Sequence, residues 1–162
     1  MFVELTRWVL HRRWSVRLAT AIHRLLYRLS GGAIGGLVAG MPNLLLTTRG
    51  RLSGRLFTTP LFYLPDGSDL IVVASYGGHP RHPQGWQNLQ VHPQGSVQVG
   101  PHHWQGQAFE AGEELKTRLW PGVCRPYSAY QEYPNPTKPG IPLVVLRPVE
   151  VQAPVAETSQ NP

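Results

Sequence analysis

Apolar positions recur along this chain with two different periods. Residues 1–30 include the stretch TRWVLHRRWSVRLATAIHRLLYRLS. At 100° per residue Arg13, Arg17, Arg24 and Arg28 fall in one narrow sector, while Trp8, Leu18, Ala19, Ile22, Leu25, Leu26 and Leu29 gather opposite. That spacing predicts one basic amphipathic helix over residues 1–30. Short, β-prone apolar runs then follow: Leu44–Thr48, Leu56–Leu64, Leu70–Ser75, Ser96–Val99, His102–Phe109 and Ile141–Val151. Pro65-Asp66-Gly67 predicts a turn between the second and third runs. Helical stretches at Gln84–Val91, and at Gly112–Cys124 continuing toward Tyr133, interrupt the strands. Short strands crossed by one or two helices predict a mainly β fold, a small and mostly antiparallel barrel over residues 43–152. Residues 153–162 read as a disordered tail.

Residues 31–42, between helix and strands, read as a glycine-rich linker. Gly31, Gly32, Gly35, Gly36 and Gly40 include the spacing of packed membrane helices. Met41-Pro42-Asn43 interrupts the run well short of a span, however.

Composition narrows the reading. A chain of 162 residues, 41% hydrophobic and 15% charged, supports one domain with a core and is not a disordered protein. The single cysteine, Cys124, excludes a disulfide framework and a cysteine-based metal cluster. The net charge of +6 is concentrated at one end, where Arg7, Arg12, Arg13, Arg17, Arg24 and Arg28 stand against Glu4 alone. A nucleic-acid binder would spread its basic residues over the folded body, so nucleic acid is not an expected partner. The arm suits an anionic membrane surface, or a packing surface on its own domain or a partner subunit. Arginines interrupt every apolar core a signal peptide would need.

Three stretches could carry chemistry. Arg49-Gly50-Arg51-Leu52-Ser53-Gly54-Arg55 sets three guanidinium groups in a glycine turn, as either a solvated hairpin or a phosphate or carboxylate cradle. In VVASYGGHPRHP a strand ends in Ser75-Tyr76-Gly77-Gly78, where the backbone can approach a flat ligand and Ser75 supplies a hydroxyl. His79 and His82 have no carboxylate or third histidine near them in sequence, so no metal site is expected. In PYSAYQEY, Tyr127, Tyr130 and Tyr133 share one face if helical, an aromatic and hydroxyl-bearing wall for a ring-shaped substrate.

LLLTTRGRLSGRLFTTPLFYLPDG, DLIVVASYGGHPRHPQGWQNLQVHP, VQVG, YSAYQEY and IPLVVLRP together resemble, in order and spacing, the deazaflavin-dependent nitroreductase family of coenzyme F420-dependent quinone and nitro reductases. The resemblance covers about residues 41–148, and the arm is similar to that family's N-terminal helix. It implies a split β-barrel like that of FMN-binding oxidases, with reduced F420, or FMN as the alternative, in a groove. Arg51, Ser53, Gly54 and Arg55 would then grip the phosphate and acidic tail. Leu46 and Thr47 would lie along the cofactor, Ala74, Ser75, Tyr76 and Gly77 against its ring, and Gln84, Trp86 and Asn88 over it. Ser75, Tyr127, Tyr130 and Tyr133 would serve the acceptor, a quinone or nitro compound that takes a hydride.

The chain departs from the family at Leu52 and Phe57, which replace two basic residues, at Tyr76, and at Gly85, where a tryptophan is usual. The alternative is a non-catalytic barrel holding a flavin, haem-like or lipid ligand. The resemblance also allows a homodimer, and a cytoplasmic protein held peripherally at the inner face of the cell membrane.

Overall fold

The continuous apolar runs LIVV (residues 70–73) and LVVL (residues 143–146) belong to strands covered on both faces, and they anchor the architecture. The structure is a computed structural model that describes residues 13–38, 40–75, 81–125 and 141–149. In chain order it contains helix α1 (Arg13–Leu29), strands β1 (Leu37–Val38), β2 (Met41–Arg49), β3 (Leu56–Asp66) and β4 (Asp69–Val73), and helix α2 (Gln84–Val91). Strands β5 (Gln94–Val99) and β6 (His102–Glu110), helix α3 (Glu113–Cys124) and strand β7 (Leu143–Pro148) complete it.

Strands β2, β3, β4, β7, β6 and β5 pair in that order, all antiparallel, and β5 returns to β2 from Leu45↔Gln98 to Thr48↔Gly95. The closure makes a six-stranded barrel, so the ladder has no long open edge. Inside lie Leu44, Leu46, Val72, Val97, Val144 and Leu146, with Trp86 and Leu89 of α2 plugging one end. Outside, Ile71, Leu143 and Val145 are covered by Leu119 and Val123 of α3. This second layer explains why β4 and β7 lack polar alternation.

The β3–β4 hairpin turns at Gly67-Ser68, where Gly67 takes a φ of 64°. Both flanking aspartates hold the hairpin to the body. Arg118 of α3 grips Asp66 with bonds of 2.8 and 3.0 Å. Arg147 of β7 does the same for Asp69, at 2.8 Å. The hydrogen bond from Arg118 keeps the Asp66 carboxyl below the usual carboxylate range.

The glycine-rich stretch after α1 turns back on the helix, and Leu37 and Val38 pair with Pro42 and Met41. Gly32 sits in this turn at a φ of 82°, and a Cβ there would lie 2.6 Å from the Cα of Gly100. The helix presents its tyrosine and arginine side to the barrel. Tyr27 is fully buried; its hydroxyl donates to the Asn43 carbonyl at 2.8 Å and accepts the Gly100 N–H at 3.0 Å. Arg24 and Arg28 donate to the carbonyl and hydroxyl of Thr58 on β3. The apolar stripe of Leu18, Ile22, Leu25, Leu26 and Leu29 is left exposed. Among the described residues no helix is long and apolar enough to cross a membrane.

Candidate functional site

The arginine stretch forms the loop between β2 and β3. Its geometry is set by backbone bonds, Gly50 N–H to the Arg55 carbonyl and Gly54 N–H to the Gly50 carbonyl, both 2.8 Å. Gly54 takes a φ of 68°, which an L side chain would strain. Ser53 accepts the Arg55 N–H through its hydroxyl, at 3.4 Å. A clamp from α2 fixes the loop against the barrel. Buried Asn88 accepts the Arg51 N–H at 3.1 Å and donates to the Thr48 hydroxyl at 3.2 Å. Among the described residues Arg49, Arg51 and Arg55 have no ion-pair partner, the two pairs present being Arg118–Asp66 and Arg147–Asp69. Their mutual repulsion is therefore offset by water or by a bound anion.

Two cavities lie against β3. One, of about 290 Å³, lies at the α2 end of the barrel, lined by Leu46, Thr48, Thr59, Ala74, Gln84 and Trp86 among others. The Trp86 indole N–H in its wall is enclosed and has no acceptor among the described residues. A buried donor left unpaired costs about 1–3 kcal/mol, so this wall suits a ligand that brings an acceptor. The second cavity, of about 420 Å³, lies on the outer side of β3 between α1 and α3 and is mainly apolar. Its polar groups are His23, Asn43, Tyr63 and Ser75. Burial, with a smaller contribution from Tyr27, pushes the Tyr63 phenol up, so it stays protonated at neutral pH. The two cavities share Leu61, Val73 and Ser75 as a common wall.

The expected residues sort as follows. Leu46, Ala74, Ser75, Gln84 and Trp86 all line the smaller cavity. Asn88 does not line it; it holds the arginine loop from behind. Thr47 faces the other side of β2, where its hydroxyl meets that of Thr58 at 2.8 Å and where it lines a further cavity with Arg49, Leu56 and Ser96. Adjacent strand residues face opposite ways, so Thr48 lines the smaller cavity. Arg51, Ser53, Gly54 and Arg55 form the loop. Tyr76, Gly77, Tyr127, Tyr130 and Tyr133 lie outside the described residues, as does the 153–162 tail. Thr59 and Leu61 line the smaller cavity and His23 the larger one without having been expected there. Period-2 alternation along FTTPLFY would have suggested Thr59 and Leu61; nothing in the sequence pointed to His23.

Residues 19–148 match the model of a family described as F420H(2)-dependent quinone reductase. The chain belongs to this family. An F420H(2)-dependent quinone reductase of Mycobacterium tuberculosis is 34% identical over 148 residues, covering 89% of this chain and 98% of that protein. Among solved structures, an F420-H2 dependent reductase shares 32% identity, with a TM-score of 0.59 over 65% of this chain and 94% of the other. A structure described as a domain-swapped dimer shares 29% identity, with a TM-score of 0.61 over 78% of this chain and 94% of the other. The split barrel with its added helices is thus the fold expected of an F420H(2)-dependent quinone reductase. F420 is the cofactor the family uses, and the family is one of oxidoreductases.

Proposed function

We propose that this chain transfers a hydride from reduced F420 in the smaller cavity to a quinone in the larger one. The support for this reading is that Leu61, Val73 and Ser75 line both cavities, so the cavities adjoin, and the two ligands would have to touch at that rim, because a hydride passes only between carbons in direct contact. The groups present fit the cofactor. An apolar cavity with an indole donor that lacks an acceptor among the described residues suits a heterocycle, and arginines without carboxylate partners there suit its phosphate and acidic tail. Bound there, the reduced deazaflavin supplies the hydride from C5. The chain's own contribution is orientation and exclusion of water, with Leu46, Thr48, Ala74 and Trp86 around the ring and Ser75 at the boundary. Tyr76 and Gly77 would complete the ring site, and Tyr127, Tyr130 and Tyr133 the acceptor wall. Nitroaromatic compounds are proposed as further acceptors, since they accept the same hydride.

The binding half is tested by fluorescence. Reduced F420 is expected to quench Trp86, with Trp86→Phe as the control that identifies the signal. Arg51→Ala is expected to weaken binding about tenfold, the equivalent of one lost ionic contact. No quenching at concentrations of about tens of micromolar, where an affinity near −6 kcal/mol would register, would favour a non-catalytic barrel that holds another ligand.

A membrane surface is proposed as the site of action. The support is the exposed stripe of Leu18, Ile22, Leu25 and Leu29 on a helix rich in arginine, continued by exposed Ile34 and Leu37. Replacing Leu25 and Leu29 by glutamate is expected to remove most pelleting with phosphatidylglycerol vesicles, while turnover of a water-soluble quinone stays within about twofold. Pelleting that survives the double substitution argues against this surface. It would then favour burial of the stripe in a homodimer, the other partner proposed for this chain and a role the domain-swapped neighbour makes plausible.

A further inference from the structure

The larger cavity contains a titratable group that the arrangement above leaves without a task, His23 of α1. Its Nε2 lies 3.0 Å from the Gly35 carbonyl oxygen. A carbonyl can only accept, so Nε2 carries a hydrogen in both charge states of the ring. The proton that comes and goes therefore sits on Nδ1, and protonation does not disturb the bond to Gly35. No hydrogen-bond partner engages Nδ1 among the described residues.

The surrounding backbone is shaped around this ring. Gly35 takes a φ of 85°, and a Cβ there would fall 2.3 Å from Nε2, so only glycine leaves room. On its other side the imidazole stands edge-on to buried Tyr27, with centroids 6.2 Å apart and planes at 68°. A ring fixed from two sides at the wall of an apolar cavity cannot drift into solvent with its helix.

We propose that His23 is the acid that protonates the acceptor in this cavity, an inference that rests on the acceptor placement given above. Reduction of a quinone to a hydroquinone takes two electrons and two hydrogens. The hydride brings both electrons and forms one new bond, which leaves negative charge on a quinone oxygen. The Nδ1 proton closes the O–H bond there, and the neutral imidazole is reprotonated from water. The other titratable groups that touch His23 or line its cavity are Tyr27 on α1 and Tyr63 on β3, and among the described residues no carboxylate lines the cavity. Asn43 and Ser75 offer an amide and a hydroxyl, which are poor acids. Imidazole is the side chain of this set best suited to act as a general acid.

Two measurements test this. In steady-state quinone reduction with reduced F420, kcat/KM of the unaltered protein is expected to fall as pH rises, because the acid must be protonated. His23→Gln is expected to lose about a hundredfold in kcat, with little change in KM, and to lose that alkaline fall. A variant that keeps the pH profile and a rate within about twofold overturns the proposal. The second measurement uses the unaltered protein without cofactor. Ring-nitrogen NMR of 15N-histidine-labelled protein is followed as duroquinone, whose ring is fully substituted against thiol attack, is added. The His23 resonances, identified by their absence from His23→Gln, are expected to shift, and no shift overturns the proposal. Lack of any F420H(2)-dependent turnover would instead refute the enzymatic reading, and the NMR titration would then decide the histidine alone.

Discussion

Tyr27→Ala is expected to destabilise the fold by about 3–5 kcal/mol, as for other buried aromatics truncated to alanine. At about 2–4 °C per kcal/mol for a chain of this size, that is a large fall in Tm. The side chain has no solvent exposure, and its hydroxyl joins Asn43 of β2 to Gly100 in the β5–β6 turn, just beyond the end of the β2–β5 ladder. Tyr27→Phe separates the two contributions. It keeps the ring and leaves a carbonyl and an N–H unpaired, at about 1–3 kcal/mol. Calorimetry on both variants checks the order. A loss below about 1 kcal/mol for the alanine variant would mean that the helix is an appendage. If the expected loss is found, removing residues 1–30 cannot serve as a membrane-binding test, because the truncation would take part of the core with it.

The sequence displayed the period of this helix but not its orientation. Arginine stems and one tyrosine face the barrel while five leucine and isoleucine positions face out. Hydropathy alone would dock it the other way round. The same blindness affected β2. Leu44, Leu45 and Leu46 are all buried, so its two faces look alike in sequence, and the parity that separates Thr47 from Thr48 was erased. Strands β4 and β7 were legible for the opposite reason, since unbroken apolar runs of four or five residues have few other homes in a small barrel. Helix α2 fell where its spacing placed it. The clamp by Asn88 was out of reach, because its partners stand 37 and 40 residues away and no local pattern links them. The arginine loop was visible as charge and glycine; that nothing acidic answers it among the described residues became evident only in three dimensions.

Restoring charge at Leu52 and Phe57 is expected to tighten F420 binding, and this is the larger test of where the anion lies. Leu52 is 87% exposed and Phe57 47% exposed, so Leu52→Lys and Phe57→Arg remove little core packing. Phe57 does touch the loop, since a Cβ on Gly50 would meet its ring at 2.7 Å; a guanidinium at that position would stand directly beside the turn. Each charge-assisted contact contributes about 1.5–3 kcal/mol, so the pair together should lower Kd by a hundredfold or more, by about 1.4 kcal/mol per decade. The gain should shrink as salt rises, because exposed charges are screened over about 10 Å at 0.1 M. Titration of Trp86 fluorescence at two ionic strengths measures both effects. An affinity unmoved by either substitution would place the phosphate and tail elsewhere. The three native arginines would then be a solvated turn, and the ring cavity would have to hold its ligand by shape and the Trp86 donor alone.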